Sequence, residues 1–542
     1  MGLLLDSAGR PPQEIALDDL QGRRRTWVEL DERASRIARL LRDDLCLQPN
    51  EHAAVLMENR AEVVEIILGA MLAGVWLTPV NHHLTAEEVA YVVEDSGARV
   101  LLMDAAHESV ARAAVSGLSQ PAVALVAGDE LESAIMRTSR APLPADGVPG
   151  ATMIYTSGTT GRPKGVKRAR AATVAEAFAG AKSTGTTFGL DGAGPHLITG
   201  PLYHAAPLLF AIYDLIAGAP MIVMPQWDAR RALDLIADRR VCHTHLVPTM
   251  FVRLLRLPED VRNAFDPSSL RVVLHGAAPI AQHVKHAMIA WWGEVLVEYW
   301  GATESGVCTL VGSREWLEHP GTVGRPTASF EVFTADDHGH RLSPGEIGTL
   351  YIRHKRLARP FEYHRAADKT AEAYLDVRPP EPAEARSAFR RHAHASSCAD
   401  DDAAASGRGA FTIGDIGCVD AEGYVHLFDR KSHTIISGGV NIFPAEIEEV
   451  LHRHPAVADV AVFGIPDHEW GESVKAAVEL VEGREPSQAL EKEILAFARE
   501  SLAAYKTPRS IDFEARLPRH PTGKLYVRLL RDRYWKDAGR SI

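Results

Sequence analysis

The chain has 542 residues, 46% hydrophobic and 24% charged, with a formal net charge of −12; that is a globular composition, long enough for two or more domains around a large core. The negative balance argues against broad nucleic-acid binding or docking on an anionic membrane, so a phosphate-bearing ligand would need local basic residues. Five scattered cysteines, Cys46, Cys242, Cys308, Cys398 and Cys418, lack metal-type spacing, which argues against a structural zinc and suits a reducing cytoplasm.

In chain order, the opening MGLLLDSAGR has neither the basic region nor the long apolar run of a secretion signal. Apolar spacing predicts a helix over 34–45, a buried strand over 52–57, a helix over 61–73 and a strand over 75–80. The same unit returns as a helix over 87–96 with a strand at 100–103, and again as a helix over 229–237 with a strand at 243–247. Such alternation implies parallel sheets covered by helices. The longest apolar run, 208–225, is broken by Asp214, Gly218 and Pro220, so it reads as a buried helix leading into a strand and not as a membrane span. Beyond Gly324 the texture becomes strand-rich, as at 330–333 and 348–353. Residues 377–409 are rich in Ala, Arg, Pro, Asp and Ser with scarcely any large apolar side chains, the composition of a solvated insertion. His392, His394, Cys398 and Asp400 to Asp402 fall inside it and read as part of that insertion before a metal site. A final α+β segment is expected, with a helix over 444–453, strands over 458–463 and 475–480, and a helix over 488–502.

The stretch YTSGTTGRPKGV, residues 155–166, packs six Ser, Thr or Gly residues into Thr156, Ser157, Gly158, Thr159, Thr160 and Gly161 behind the apolar Met153-Ile154-Tyr155. A strand entering a glycine-rich loop leaves backbone N–H groups unpaired, and small side chains let a bulky anion approach them. Lys164 follows Gly161 by three residues and precedes Gly165, which is not the spacing of a Walker A loop. The pattern predicts a phosphate cradle of another kind.

Six further motifs follow: PLYH (201–204), HGAAP (275–279), YWGATE (299–304), IGD (413–415), DRKSHTIISGGVNIFPAEIE (429–448) and PTGK (521–524). Together and in this order they resemble the motifs of the adenylate-forming superfamily, which includes acyl-CoA synthetases, firefly luciferase and the adenylation domains of peptide synthetases. FEYHRAADKT and SGGVNIFPAEIEEVL look most like bacterial acyl-CoA synthetases. The resemblance covers nearly the whole chain. It implies an α/β N-terminal domain (1–429) of two helix-covered parallel sheets and a barrel-like sheet, a hinge at 430–433 centred on Ser432, and a small mobile α+β lid domain (434–542).

The implied reaction joins a carboxylic acid to a thiol. A carboxylate is a poor electrophile, so it first attacks the α-phosphorus of ATP, giving an acyl-adenylate and pyrophosphate, and coenzyme A then displaces AMP. By resemblance, Thr156 to Lys164 hold the β- and γ-phosphates, Glu304 binds Mg²⁺ and Thr303 contacts the α-phosphate. Gly276, Ala277, Ala278 and Trp300 would form the adenine slot, Asp415 would take the ribose hydroxyls, Arg430 would assist there, and Lys524 would bridge the acid and the α-phosphate. His204 would position substrate, and Gly438 and Gly439 would line the thiol tunnel after the lid rotates. Neither a Ser-His-Asp triad nor a cysteine nucleophile is needed, since the thiol arrives with coenzyme A.

The chain departs from the family pattern at Ile413 (usually Thr), Trp300 (commonly Tyr or Phe) and Ser432-His433 (usually an acidic or basic pair), besides the insertion. These border the nucleotide site and the hinge, which keeps open an enzyme that receives acyl-adenylate from a partner and performs only the thioester step. A carrier-protein acceptor and a homodimer also remain open. The acid pocket, by resemblance near 204–208, 247–249, 276–278 and 301–307, with Ala205, Val247, Gly301 and Ala302 among its lining, is mostly small or apolar. That predicts a sizeable hydrophobic acid: fatty, aromatic or polycyclic terpenoid.

Overall fold

The computed structural model describes residues 2–535 except 119–122, 127–128, 157–161, 337, 376–408, 431–432, 438–439, 468–469 and 520–524, with backbone alone at 123–126, 129, 375, 430 and 441. Two helix-covered sheets form the first half of the chain. The smaller is wholly parallel, ordered Val123–Val126, Ala98–Met103, His52–Leu56, Trp76–Pro79, Ala151–Thr152. The larger has nine strands. At its centre Leu296–Ala302, Val272–His275, His243–Leu246, His196–Ile198, Met221–Val223 and Ile15–Asp18 run parallel, and antiparallel strands close both edges.

The helix Ala61–Ala73 is buried along nearly its whole length because it lies in a core shared by both sheets, where Leu17 and Met221 meet Val55 and Leu77. An α-helix apolar on every side is stable only when covered on every side. The apolar run after His204 becomes the helix Ala205–Ala217 and the strand Met221–Val223, joined through Gly218 in the left-handed region at φ 114°. Among the described residues no helix is long and apolar enough to cross a membrane. The helix expected at 34–45 instead starts at Trp27, where Thr26 and Glu29 form a capping box, and runs to Arg39 before widening into a π-turn over Leu40–Asp44. The early start went unread because Arg, Asp and Glu interrupt the apolar spacing, yet the Thr-x-x-Glu pair marks it.

Beyond Gly324 the strands Phe330–Ala335, Gly348–His354, Asp415–Val419 and Val425–Arg430 belong to an antiparallel six-stranded sheet. A three-stranded sheet of Ile154–Thr156, Lys164–Arg168 and Phe361–Tyr363 packs against it, with Val166, Phe361, Phe411 and Leu350 in one core. The C-terminal part has its own five-stranded sheet. The helices Pro444–His452 and Gln488–Ser501 pack in one core, and Phe463, Ala477, Leu517 and Leu530 form a second with the helix Val527–Trp535. Arg256 of the larger part donates a hydrogen bond to the carbonyl of Ala458 in the smaller one.

Candidate active site

In open parallel sheets the loops after the strands' carboxyl ends collect ligands, because helix N-termini and free backbone N–H groups converge there. PLYH, HGAAP and YWGATE fall at that edge of the nine-stranded sheet. Gly276 follows the strand Val272–His275, Val247 caps the helix Pro248–Leu255 after His243–Leu246, and His204 caps the helix Ala205–Ala217. Leu246 is in register with His275 and His275 with Glu298, so Val247, Gly276 and Tyr299 emerge side by side. Two helix N-termini, at Ala205 and Pro248, therefore lie along an edge expected to meet an anionic acid.

The loop 157–161 lies outside the described residues, but both arms of its hairpin are described, with Thr156 opposite Lys164 and Tyr155 opposite Gly165. The Lys164 ammonium sits 5.2 Å from the centroid of the Tyr363 ring. The Tyr363 hydroxyl donates to Glu304 Oε1 at 2.9 Å. Burial, then the neighbouring Glu304 carboxylate, pushes the Tyr363 phenol upward, so it stays a proton donor. Lys164, Tyr363 and Glu304 thus form one connected group between the second arm of the 154–168 hairpin and the turn that carries Thr303. Tyr363 was not singled out as a site residue; the only signal for it was its place in FEYHRAADKT.

Thr303 and Glu304 occupy the turn between Leu296–Ala302 and Gly306–Gly312, whose register slips between Trp300 and Gly301. Gly301 must be glycine, since a Cβ there would run into the carbonyl oxygen of Gly306. Ala277 takes the left-handed conformation, φ 65°, uncommon for a residue with a Cβ and recurrent at ligand-binding turns. The backbone at Gly276 is pressed against the next strand: a Cβ there would stand 2.9 Å from Tyr299 Cζ.

The Trp300 indole N–H donates to Asp415 Oδ2 at 2.7 Å, with both residues buried. Trp300 packs with Val166, Cys308 and Phe330 in the core of the barrel-like sheet, and Ile413 lies against the same cluster. Trp300, expected to contribute to an adenine slot, also has a structural partner on the other side. Its ring is built into the core, and its polar edge holds the carboxylate expected at the ribose. Asp415 opens the strand Asp415–Val419, in register with Arg430.

His204 stacks at a tilt on Tyr203, with ring centroids 4.5 Å apart, and Tyr203 meets His82 edge-on at 5.2 Å. Burial and the nearby Tyr526 raise the Tyr203 phenol. Tyr526 follows Lys524 by two residues, so the C-terminal part approaches the body beside His204. Lys524, Ser432, Gly438, Gly439 and Ser157 to Gly161 lie outside the described residues, as does the Arg430 side chain. The structure thus brings the Lys164–Glu304 and Trp300–Asp415 groups together with Gly276 and His204 at one sheet edge.

The AMP-binding enzyme family matches residues 4–361, and the AMP-binding enzyme C-terminal domain matches residues 446–524. The chain is 31% identical over 535 residues to the fatty acid–[acyl-carrier-protein] ligase ScoC of Streptomyces coeruleorubidus, covering 96% of this chain and 94% of that one. It is 31% identical over 516 residues to the long-chain-fatty-acid–CoA ligase FadD13 of Mycobacterium tuberculosis, covering 94% and 93%. A solved structure of the o-succinylbenzoate CoA synthetase MenE from Bacillus subtilis, in complex with the acyl-adenylate intermediate OSB-AMP, is similar with a TM-score of 0.76 and 26% identity, covering 100% of this chain and 98% of that one.

Proposed function

Because the chain belongs to the AMP-binding enzyme family, matched in both its body and its C-terminal part, we propose that it ligates a carboxylic acid to coenzyme A through an acyl-adenylate. The observation that carries this reading is the pairing of two groups at one edge, Lys164–Tyr363–Glu304 and Trp300–Asp415. A cation beside a carboxylate suits a metal-bound triphosphate, and a buried aspartate fixed by an indole suits a vicinal diol. Glu304 offers the hard oxygen ligand Mg²⁺ prefers, and a bound ion would neutralise triphosphate charge.

In the first step a carboxylate oxygen bonds to the α-phosphorus while the bond to pyrophosphate breaks. Lys164 and the loop N–H groups hold the departing phosphates, and Lys524 sits with the α-phosphate. In the second step the thiol sulfur attacks the acyl carbon, the acyl–phosphate C–O bond breaks and AMP leaves, while the thiol proton passes to solvent or to the AMP phosphate. The protein contributes orientation and fixed charge and forms no covalent intermediate of its own. The hinge at 430–433 lets Lys524 withdraw before the thiol enters beside Gly438 and Gly439.

A second reading, transfer to a carrier protein, is favoured by the similarity to the acyl-carrier-protein ligase. Acid-dependent exchange of pyrophosphate into ATP tests the first step, and offering a synthetic acyl-adenylate to coenzyme A or to a carrier protein tests the second. Robust exchange and faster reaction with coenzyme A are expected. Silence in exchange together with rapid thioester formation would establish the partner-dependent enzyme instead.

A further inference from the structure

Resting on the acyl-adenylate reading, we infer that the acid is compact, a single ring or a short chain, because an aromatic plug anchored by Tyr299 closes the face along which a longer acyl group would run. An acid seated among His204, Gly276 and Gly301, where the resemblance puts its pocket, would have to extend between the nine-stranded sheet and the helix Ala205–Ala217 that packs on it. That space is filled. Tyr299 projects into it one residue before Trp300, Phe210 comes from the helix, and His245 comes from the strand His243–Leu246. The Tyr299 hydroxyl and His245 Nε2 are 2.9 Å apart. Phe210 meets Tyr299 edge-on with centroids 5.2 Å apart and lies 5.5 Å from His245. Phe188 closes the far side, perpendicular to Phe210 at 5.5 Å. All four rings are buried, Tyr299 at 7%, Phe210 at 3%, His245 at 4% and Phe188 at 8% exposure.

The plug resists displacement for three reasons. The backbone at Gly276 leaves no room behind the Tyr299 ring. Burial keeps His245 a neutral imidazole, lowered to about 3, so its bond to Tyr299 persists across the physiological range. The edge-to-face contacts hold Phe210 in turn. A long chain would have to break that hydrogen bond and expel a packed ring, whereas a short acid ends above it. The small residues Ala205, Gly276 and Gly301, which suggested a roomy pocket, line the mouth, while the floor joins Tyr299, the first residue of YWGATE, to Phe210, His245 and Phe188 from outside the motifs.

The experiment compares the full chain with propanoate, hexanoate, benzoate, dodecanoate and hexadecanoate, measuring AMP release with coenzyme A and, separately, binding of the matching acyl-sulfamoyl adenosines. Hexanoate or benzoate is expected to exceed hexadecanoate by at least ~10²-fold in kcat/KM, since each unaccommodated methylene costs an order of magnitude or more. The bound analogues are expected to show the same order. Tyr299→Ala should bring dodecanoate up by ~10-fold relative to benzoate, and Tyr299→Phe, which keeps the ring, should preserve the wild-type order. A wild type that prefers dodecanoate or hexadecanoate in either measurement overturns the inference, as does failure to bind any of the analogues. Tight binding of the short analogues without turnover would leave it standing while refuting the ligase reading.

Discussion

At the scale of single residues, the bond from Trp300 to Asp415 is the most consequential departure from the family pattern. A hydrogen bond to a buried carboxylate contributes ~1.5–3 kcal/mol, and this one fixes which way Asp415 faces. Trp300→Phe keeps an aromatic ring and loses the N–H, so the KM for ATP should rise ~10-fold with kcat changed much less, as initial-rate kinetics at saturating acid would read. An unchanged KM would mean that the indole serves packing alone. A second residue-scale prediction concerns Asp214, fully buried and accepting from His196 at 2.9 Å and His243 at 2.7 Å. Burial raises its carboxyl, but the two imidazoles outweigh burial and bring it down to about 2. A carboxyl depressed in the folded state contributes stability above its unfolded value, ~3.9, and loses it as pH falls toward 2. Asp214→Asn should therefore destabilise by about 2 kcal/mol at neutral pH, with the gap in denaturant midpoint closing between about pH 4 and pH 2. A gap independent of pH would assign the loss to packing. Nothing local to Asp214 in the sequence revealed this pair of histidines, because His196 and His243 arrive on separate strands.

Among the elements, period and punctuation were legible and boundaries less so. The helices Ala86–Ser96 and Gln488–Ser501 and the strand His52–Leu56 lie close to where apolar spacing put them. The strand Gly471–Leu480 starts four residues before the expected 475, because its pairing with Val457–Asp467 extends over polar positions. Pairing partners, and not side-chain pattern, set where a strand ends. The insertion, read at 377–409, falls almost entirely outside the described residues. Its flanks are informative: Tyr374 pairs with Phe411 and Leu375 with Ala410, so the chain leaves and re-enters as neighbouring strands. A short Gly/Asn turn can therefore bridge them. Replacing 378–408 by such a turn is expected to move the thermal midpoint by less than ~5 °C and to leave pyrophosphate exchange intact. A larger drop would mean that the insertion packs against the body.

Across the whole molecule, two parts with separate cores are expected to cooperate at one site. The bond from Arg256 to the Ala458 carbonyl joins them, and Tyr526 lies near enough to Tyr203 to raise its phenol. With the C-terminal part set beside His204, Lys524 is expected to serve the adenylation step alone. Lys524→Ala should lower acid-dependent pyrophosphate exchange by ~10²–10³-fold, the loss typical of one preorganised electrostatic group, while thioester formation from a supplied acyl-adenylate stays within a few-fold. Equal damage to both half-reactions would remove Lys524 from that role.

The sequence by itself determined the family, the alternation of helices and strands, and the ordered motifs. Those depend on local backbone needs: glycines in a loop expected to turn its N–H groups toward an anion, Gly301 where two strands nearly touch, a carboxylate and a cation at set intervals. Only the tertiary structure decided what stands behind the motifs. Tyr363 beside Lys164, the indole of Trp300 on Asp415, and the buried cluster of Phe210, Tyr299 and His245 join segments distant in the chain. A pocket's mouth is written by the loops that form it, but its depth is set by side chains that meet across sheets and helices, and their meeting depends on register and packing.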